Sequence, residues 1–488
     1  MTMTHARQFP QDFVWGSATA AYQIEGAAHE GGRGPSIWDT FSRVPGRVLN
    51  GDTGDVADDH YHRWQEDIAH MRAMGLDAYR FSISWPRVQP GGSGDFNPEG
   101  IAFYKNLVKG LLAAGIKPVV TLYHWDLPQE LEDNGGWTNR QTAIQFGHYA
   151  RRMAQELGHD IDTWTTLNEP WCAAYLGYAS GVHAPGRTDE REALQAVHHL
   201  NLAHGLAGRA IREELGAETK LSVTLNLQVI RVQNPDDPAD RDVFRRIDGI
   251  GNRVFLEPML EGKYPADVLE DTKHITTWDF IQDGDEDIIN VPLDVLGVNY
   301  YCTGLARALR DGEDEHEARE NEGHGTTSHS PWVGISGVKW LPLDEPYTAM
   351  GWNIDPSGMT ELLLDLHKKY PHQPLMVTEN GAAFDDVVVD GRVHDVERVA
   401  YLHDHIAAVH EAREQGADVR GYFAWSLLDN FEWALGYDRR FGIIRVDYDS
   451  LQRTWKDSAF WYRSLVQTST IPTVESIEYV DVEVPETA

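Results

Sequence analysis

Two glutamates stand where short, apolar, β-prone runs end: Glu169 in Thr166-Leu167-Asn168-Glu169-Pro170 and Glu379 in Val377-Thr378-Glu379-Asn380-Gly381. They are far apart in the chain, so only folding can bring them together. Paired carboxyls at the mouths of two parallel strands suit cleavage of a glycosidic bond. One protonates the leaving oxygen, and the other attacks or stabilises the sugar cation. A lone glutamate after a strand is ordinarily a helix cap or a surface residue. Two of them, each flanked by Asn and by a helix-breaking Pro or Gly, favour the chemical reading.

The elements that must position this pair are legible as alternating strands and helices. Predicted strands run over residues 13–17, 78–84, 118–123, 163–167, 221–227, 295–300, 375–378 and 421–426, each rich in aliphatic, β-branched or aromatic residues. Residues 97–114 carry the helical period, with Tyr104, Leu107, Val108 and Leu111 on one stripe. Gly75, Gly115, Gly158, Gly216 and Gly416 each close a helical pattern shortly before a strand, where glycine supplies a left-handed cap. Eight such units predict a closed (β/α)8 barrel. An open doubly wound sheet is the rival, but no G-x-G-x-x-G follows the first strand. The whole chain, 1–488, reads as one barrel domain, although such a barrel needs only about 250 residues. The excess is expected in long loops. The largest runs from Thr303 to Pro356 and holds seven acidic residues between Asp311 and Glu322, so part of it is expected to be solvated. Residues 470–488 read as an acidic tail.

In such a barrel the active site lies at the C-terminal strand ends. Those positions carry Gln23 and Glu25, then Arg80, then His124-Trp125-Asp126, then Asn168-Glu169. They continue with Asn299 and Tyr301, Glu379-Asn380, and finally Trp425, Asp429, Glu432 and Trp433. Amides and carboxylates suit sugar hydroxyls, and indoles suit the C–H face of a sugar ring. No cofactor motif competes, and no metal site is expected: the His60-Tyr61-His62 segment opens a helix.

Composition narrows the partners. The chain has 76 acidic against 42 basic residues, a net charge of −34. A phosphate-backbone binder needs a basic face, so nucleic acid is excluded as a partner, as is an anionic membrane surface. The acidity reads as a solubilising surface before it reads as salt adaptation. Cys172 and Cys302 are the only cysteines, which is no disulfide framework and no metal-ligand spacing. Neither a signal-peptide-like start nor a membrane-length apolar run is present. A cytoplasmic setting is expected; the sequence selects no oligomeric state.

Together these segments resemble glycoside hydrolase family 1 β-glycosidases, most closely the bacterial β-glucosidases. The resemblance runs nearly end to end. It opens with Phe13-Val14-Trp15-Gly16, the segment from Ala21 to Gly26, and Pro35-Ser36-Ile37-Trp38-Asp39. It continues through the segment from Tyr79 to Trp85, Leu122-Tyr123-His124-Trp125-Asp126 and the two glutamate motifs, and closes with Trp425 to Trp433. It implies that Glu169 is the acid/base and Glu379 the nucleophile. It implies also that Gln23, His124, Trp125, Asn168, Trp425, Glu432 and Trp433 hold the glycone. Arg80, Asn299 and Tyr301 would surround the nucleophile. Trp352 would lie on the aglycone side, with Trp171 and His183 lining the same entrance.

The implied reaction is retaining hydrolysis of a small terminal β-D-glucoside, with β-galactosides and β-fucosides as further substrates. Arg80 and Tyr301 are expected to keep Glu379 ionised, and its charge to raise the pKa of Glu169. Four alternatives are weighed. A 6-phospho-β-glycosidase would carry a small hydroxyl residue in place of Glu432. A thioglucosidase would lack Glu169. A non-catalytic sugar-binding barrel would need neither glutamate. A transglycosylase would share every catalytic residue.

Overall fold

The computed structural model describes residues 7–313, 324 and 327–482. The eight expected strands are all present: β1 (Val14–Ala18), β2 (Ala78–Ser82), β3 (Lys117–Tyr123), β4 (Thr163–Asn168), β5 (Leu221–Asn226), β6 (Val295–Asn299), β7 (Leu375–Asn380) and β8 (Val419–Trp425). They close into a barrel in sequence order, every neighbouring pair parallel. β1 seals it: Gly16 faces Phe423 on β8 and Ala78 on β2. β2, β4, β6 and β7 are buried at every position. Strands covered on both faces show no apolar/polar alternation; here they are rich in aliphatic, aromatic and β-branched residues, the pattern that makes them readable.

The helices form the outer layer. In Pro98–Ala113 the Asn97 side chain caps the start by accepting from the Glu99 N–H, and Tyr104, Leu107, Val108 and Leu111 are buried. Gly75 and Gly115 follow helix ends with φ of +84° and +78°, a conformation that a Cβ disfavours. The other three marked glycines also lie at helix ends, Gly158 and Gly216 as caps and Gly416 one residue past a cap.

Two irregularities bear on the site. Along the β7–β6 pair, Val377 faces Val298 but Glu379 faces Asn299, so two steps on β7 meet one on β6. Along the β4–β5 pair, Thr165 faces Ser222 while Asn168 faces Thr224. Bulges re-aim side chains, and these fall at the ends that carry the two glutamates.

The Thr303–Pro356 segment differs from the expected loop. It contains strands Thr303–Ala308 and Val338–Trp340, which form a three-stranded sheet with Val229–Val232. These short strands gain their ladder only from each other, so no local pattern announces them. Most of the acidic run expected to be solvated, residues 314–322, lies outside the described residues. The tail is fixed at its root: Ile471 N–H donates to the Arg7 carbonyl, and Tyr479 Oη donates to Asp457 Oδ1 at 3.0 Å.

Candidate active site

The strand ends deliver their side chains into one buried network. Arg80, from β2, donates through Nη1 to Glu379 Oε1 at 2.6 Å and through Nη2 to Asn168 Oδ1 at 2.7 Å. Tyr301, just past β6, donates to Glu379 Oε2 at 2.8 Å. Asn299 donates through Nδ2 to Glu169 Oε1 at 2.6 Å, and Thr378 Oγ1 donates to Asn299 Oδ1 at 2.9 Å. Asn168 Oδ1, which accepts from both Arg80 and Asn299, links the partners of the two carboxyls. Glu169, Glu379, Arg80, Asn168 and Asn299 are all buried.

These bonds orient the next layer. Asn168 Oδ1 accepts from Arg80 and, at 3.2 Å, from Asn299 Nδ2. Its Nδ2 must therefore donate to His124 Nε2, at 3.0 Å. An accepting Nε2 places the ring proton on Nδ1, which has no protein partner. Burial, then the charge of Arg80, push the His124 pKa well down, so the ring is neutral. Gln23 Nε2 donates to Asn430 Oδ1 and the Phe431 carbonyl, leaving its buried Oε1 unpaired; Glu432 Oε2 is likewise unpaired. Three buried polar atoms without partners mark places where ligand hydroxyls would complete the bonding.

Electrostatics separate the two central carboxyls. Burial, then the charge of Glu379, push Glu169 up to about 8. Burial also raises Glu379, but Arg80, Tyr301 and Asn299 pull it back. Glu379 therefore ionises before Glu169. Glu432 is pushed up to about 8, chiefly by burial and then by the other two carboxyls. Trp125, Glu169 and Trp433 have φ of +76°, +46° and +49°. Left-handed backbone at non-glycine residues costs about 1–3 kcal/mol each and persists where surroundings over-determine it, often at functional sites.

A cavity of about 630 Å³ opens above the pair. Its inner end is walled by His124, Trp125, Trp425, Glu432 and Trp433. The His124 ring lies near-parallel to both Trp425 and Trp433, at 18° and 20°. Its outer end is walled by Trp171, Trp332, Trp340, Leu341, Pro342, Leu343, Ile230 and Trp352. Trp332 stands 5.3 Å from Trp171 and 5.2 Å from Trp340, between ring centroids. Trp352 packs on Tyr301 at 5.3 Å. No Lys or Arg lines the cavity among the described residues.

Some rim residues expected from the sequence do not belong to this cavity. His183 backs the aromatic wall, packed against Trp38, Trp125 and Trp433. Glu25 is held by Arg87 and Tyr104. Asp429 is bound by Lys456, Arg440 and the Gly442 N–H. These two carboxyls are neutralised by structural partners, which a strand-end rule does not foresee. Conversely, Asn226, Gln228, Trp332, Trp340 and His324 line the cavity without having been singled out. Asn226 ends β5, the one strand for which no rim residue was named. The two tryptophans lie in the segment read as a loop. His60 bonds Asp67 at 2.7 Å as the first residue of a helix, and no cluster of three or more metal-ligating side chains occurs among the described residues. No helix among them is long and apolar enough to cross a membrane.

A closed parallel barrel whose strand ends pair two buried carboxyls of unequal acidity defines a barrel glycoside hydrolase. The sequence profile of Glycosyl hydrolase family 1 matches residues 5–471, and the chain belongs to that family. A bifunctional β-D-glucosidase/β-D-fucosidase of Bifidobacterium breve is 52% identical over 467 residues, covering 94% of this chain and 98% of that protein. The thermostable β-glucosidase B of Thermobispora bispora is 46% identical, covering 94% and 90%. Among solved structures, a psychrophilic β-glucosidase from Micrococcus antarcticus superposes with a TM-score of 0.89 at 48% identity, covering 95% and 98%. A family 1 β-glucosidase from Thermotoga maritima gives 0.88 at 42% identity, covering 96% and 100%.

Proposed function

We propose that this protein is a retaining β-glucosidase that releases terminal β-D-glucosyl residues by double displacement. The observation that carries the reading is the buried pair of Glu169 and Glu379, joined through Asn299, Asn168 and Arg80, with Glu169 the weaker acid. Glu379 attacks the anomeric carbon while protonated Glu169 gives its proton to the leaving oxygen. Esterified Glu379 has lost its charge, so the pKa of Glu169 falls and the carboxylate can take a proton from water in the second step. That water displaces Glu379 and releases the sugar in the β configuration. Arg80 and Tyr301 hold the Glu379 carboxylate for attack. Gln23, His124, Asn168 and Glu432 take the glycone hydroxyls, and Trp125, Trp425 and Trp433 its apolar face.

The outer wall is apolar and aromatic, which favours aryl and alkyl β-glucosides and lets cello-oligosaccharides stack. β-D-Fucosides and β-galactosides are expected as secondary substrates, in keeping with the two activities in the name of the Bifidobacterium breve relative. A cavity without Lys or Arg in its described lining disfavours a 6-phospho-sugar. The acidic surface and two cysteines that form no disulfide suit one barrel domain working in the cytoplasm, without a nucleic-acid or membrane partner.

Azide rescue tests the roles. Glu379→Gly is expected to lose turnover and to regain it with azide as the α-glucosyl azide. Glu169→Gly, with an activated aryl glucoside, should give the β-azide. A β-azide from Glu379→Gly would contradict the nucleophile assignment.

A further inference from the structure

Asn299 accounts for one oxygen of Glu169. The other, Oε2, lies 3.3 Å from the thiol of Cys172. Cys172 is fully buried, three residues further along, and its N–H donates to the Glu169 carbonyl. Its sulfur in turn accepts from Asn226 Nδ2 at 3.4 Å. Asn226 ends β5 and lines the outer cavity, and its carbonyl accepts from the Gln228 side chain at 3.1 Å. A chain of bonds thus runs from the aglycone wall to the carboxyl that the proposed reaction uses twice.

The direction of this chain is fixed. An amide N–H on the sulfur occupies a lone pair and turns the S–H away from Asn226, toward Glu169. Asn299 can only donate to Oε1, so the exchangeable proton of Glu169 belongs on Oε2. A thiol aimed at Oε2 bonds strongly when that oxygen is ionised and weakly when it is protonated.

We propose that Cys172, oriented by Asn226, is a positioning residue that anchors Glu169 Oε2 and favours its ionised form, serving the step in which Glu169 is the base. The inference rests on the acid/base role of Glu169. When Oε2–H gives its proton to the leaving oxygen, the S–H steadies the carboxylate left behind. When Oε2 takes the proton from water, that bond is released. The other titratable or charged groups facing Glu169 are Glu379, Glu432, Arg80 and Tyr301. All remain in place when the thiol is removed.

The test compares wild type, Cys172→Val, Cys172→Ser and Asn226→Leu. The readouts are the pH profile of kcat/KM on an aryl glucoside and kcat on 2,4-dinitrophenyl β-glucoside, whose leaving group needs no acid and leaves the base step to limit turnover. In Cys172→Val the basic limb should move to higher pH, and kcat on the dinitrophenyl substrate near pH 5 should fall about 3- to 10-fold, the scale of one ordinary hydrogen bond, as suits a weak thiol donor. Cys172→Ser, which restores a donor, should return both to near wild type. Asn226→Leu should shift the limb in the same direction by less. An unmoved limb in Cys172→Val, or no restoration by serine, would overturn the proposal. Azide treatment of Glu169→Gly separates the two ideas: a β-azide product together with an unmoved limb defeats only the Cys172 role, whereas no β-azide defeats the acid/base reading itself.

Discussion

At the scale of single residues, three carboxyls share one buried pocket, and the protein must bear that cost before substrate arrives. Glu432 has no hydrogen bond on Oε2 and is pushed up to about 8. A carboxyl whose folded pKa lies above its unfolded value binds more protons in the folded state. Stability is then lost as pH rises from the unfolded pKa of 4.5 through about 8. Glu432→Gln should therefore raise the melting temperature by about 1–3 °C near pH 8 and by little near pH 5, while weakening substrate binding. Calorimetry at the two pH values checks this; an equal gain at both would assign the effect to something other than titration. Glu169, Glu379 and Asn299 were legible because each stands at or just past the end of a strand, and Arg80 because it is a charge within one. Glu25 and Asp429 passed the same test yet are structural, because Arg87 and Lys456, which neutralise them, arrive from elsewhere in the fold.

At the scale of elements, the barrel was readable because each strand is a short run rich in aliphatic, aromatic or β-branched residues, set off by its own turn signals. The bulges at Glu379 and Asn168 were not, since a bulge is defined by the register of a partner strand. The outer sheet was illegible for the same reason: Val229–Val232 and Val338–Trp340 are short, and both gain their ladder only from Thr303–Ala308 between them. That sheet and the segments around it carry the outer wall of the cavity. Trp332→Ala should lower kcat/KM for p-nitrophenyl β-glucoside about 5- to 30-fold, the worth of an aromatic contact and its buried area. Methyl β-glucoside, too small to reach Trp332, should be hydrolysed nearly as before. Equal losses on both would mean that Trp332 supports the barrel rather than the aglycone.

At the scale of the whole molecule, distant parts of the chain are tied together beneath the site. Lys456 is fully buried and bonds Asp386, after β7, and Asp429, after β8. Arg398 bonds Asp386 and Asp395 in the same cluster. The loop bearing Glu432 and Trp433 is thus fastened to the loop bearing Asp386 and to the hairpin of Ile444–Val446 and Arg453–Trp455, which Lys456 follows. Removing one partner of a buried ion cluster strands the opposite charge, so Lys456→Met should cost about 3–5 kcal/mol of unfolding free energy. Denaturant titration reads this directly; a loss under about 1 kcal/mol would place the cluster with weakly contributing surface pairs. The measurement that bears most directly on the central claim is proton NMR of p-nitrophenyl β-D-glucoside hydrolysis, watching which anomer of glucose appears first. β-Glucose ahead of mutarotation is the predicted result, since Glu379 inverts the anomeric centre once and water inverts it again. α-Glucose first would mean a single inversion by water and would contradict the double displacement assigned to Glu169 and Glu379.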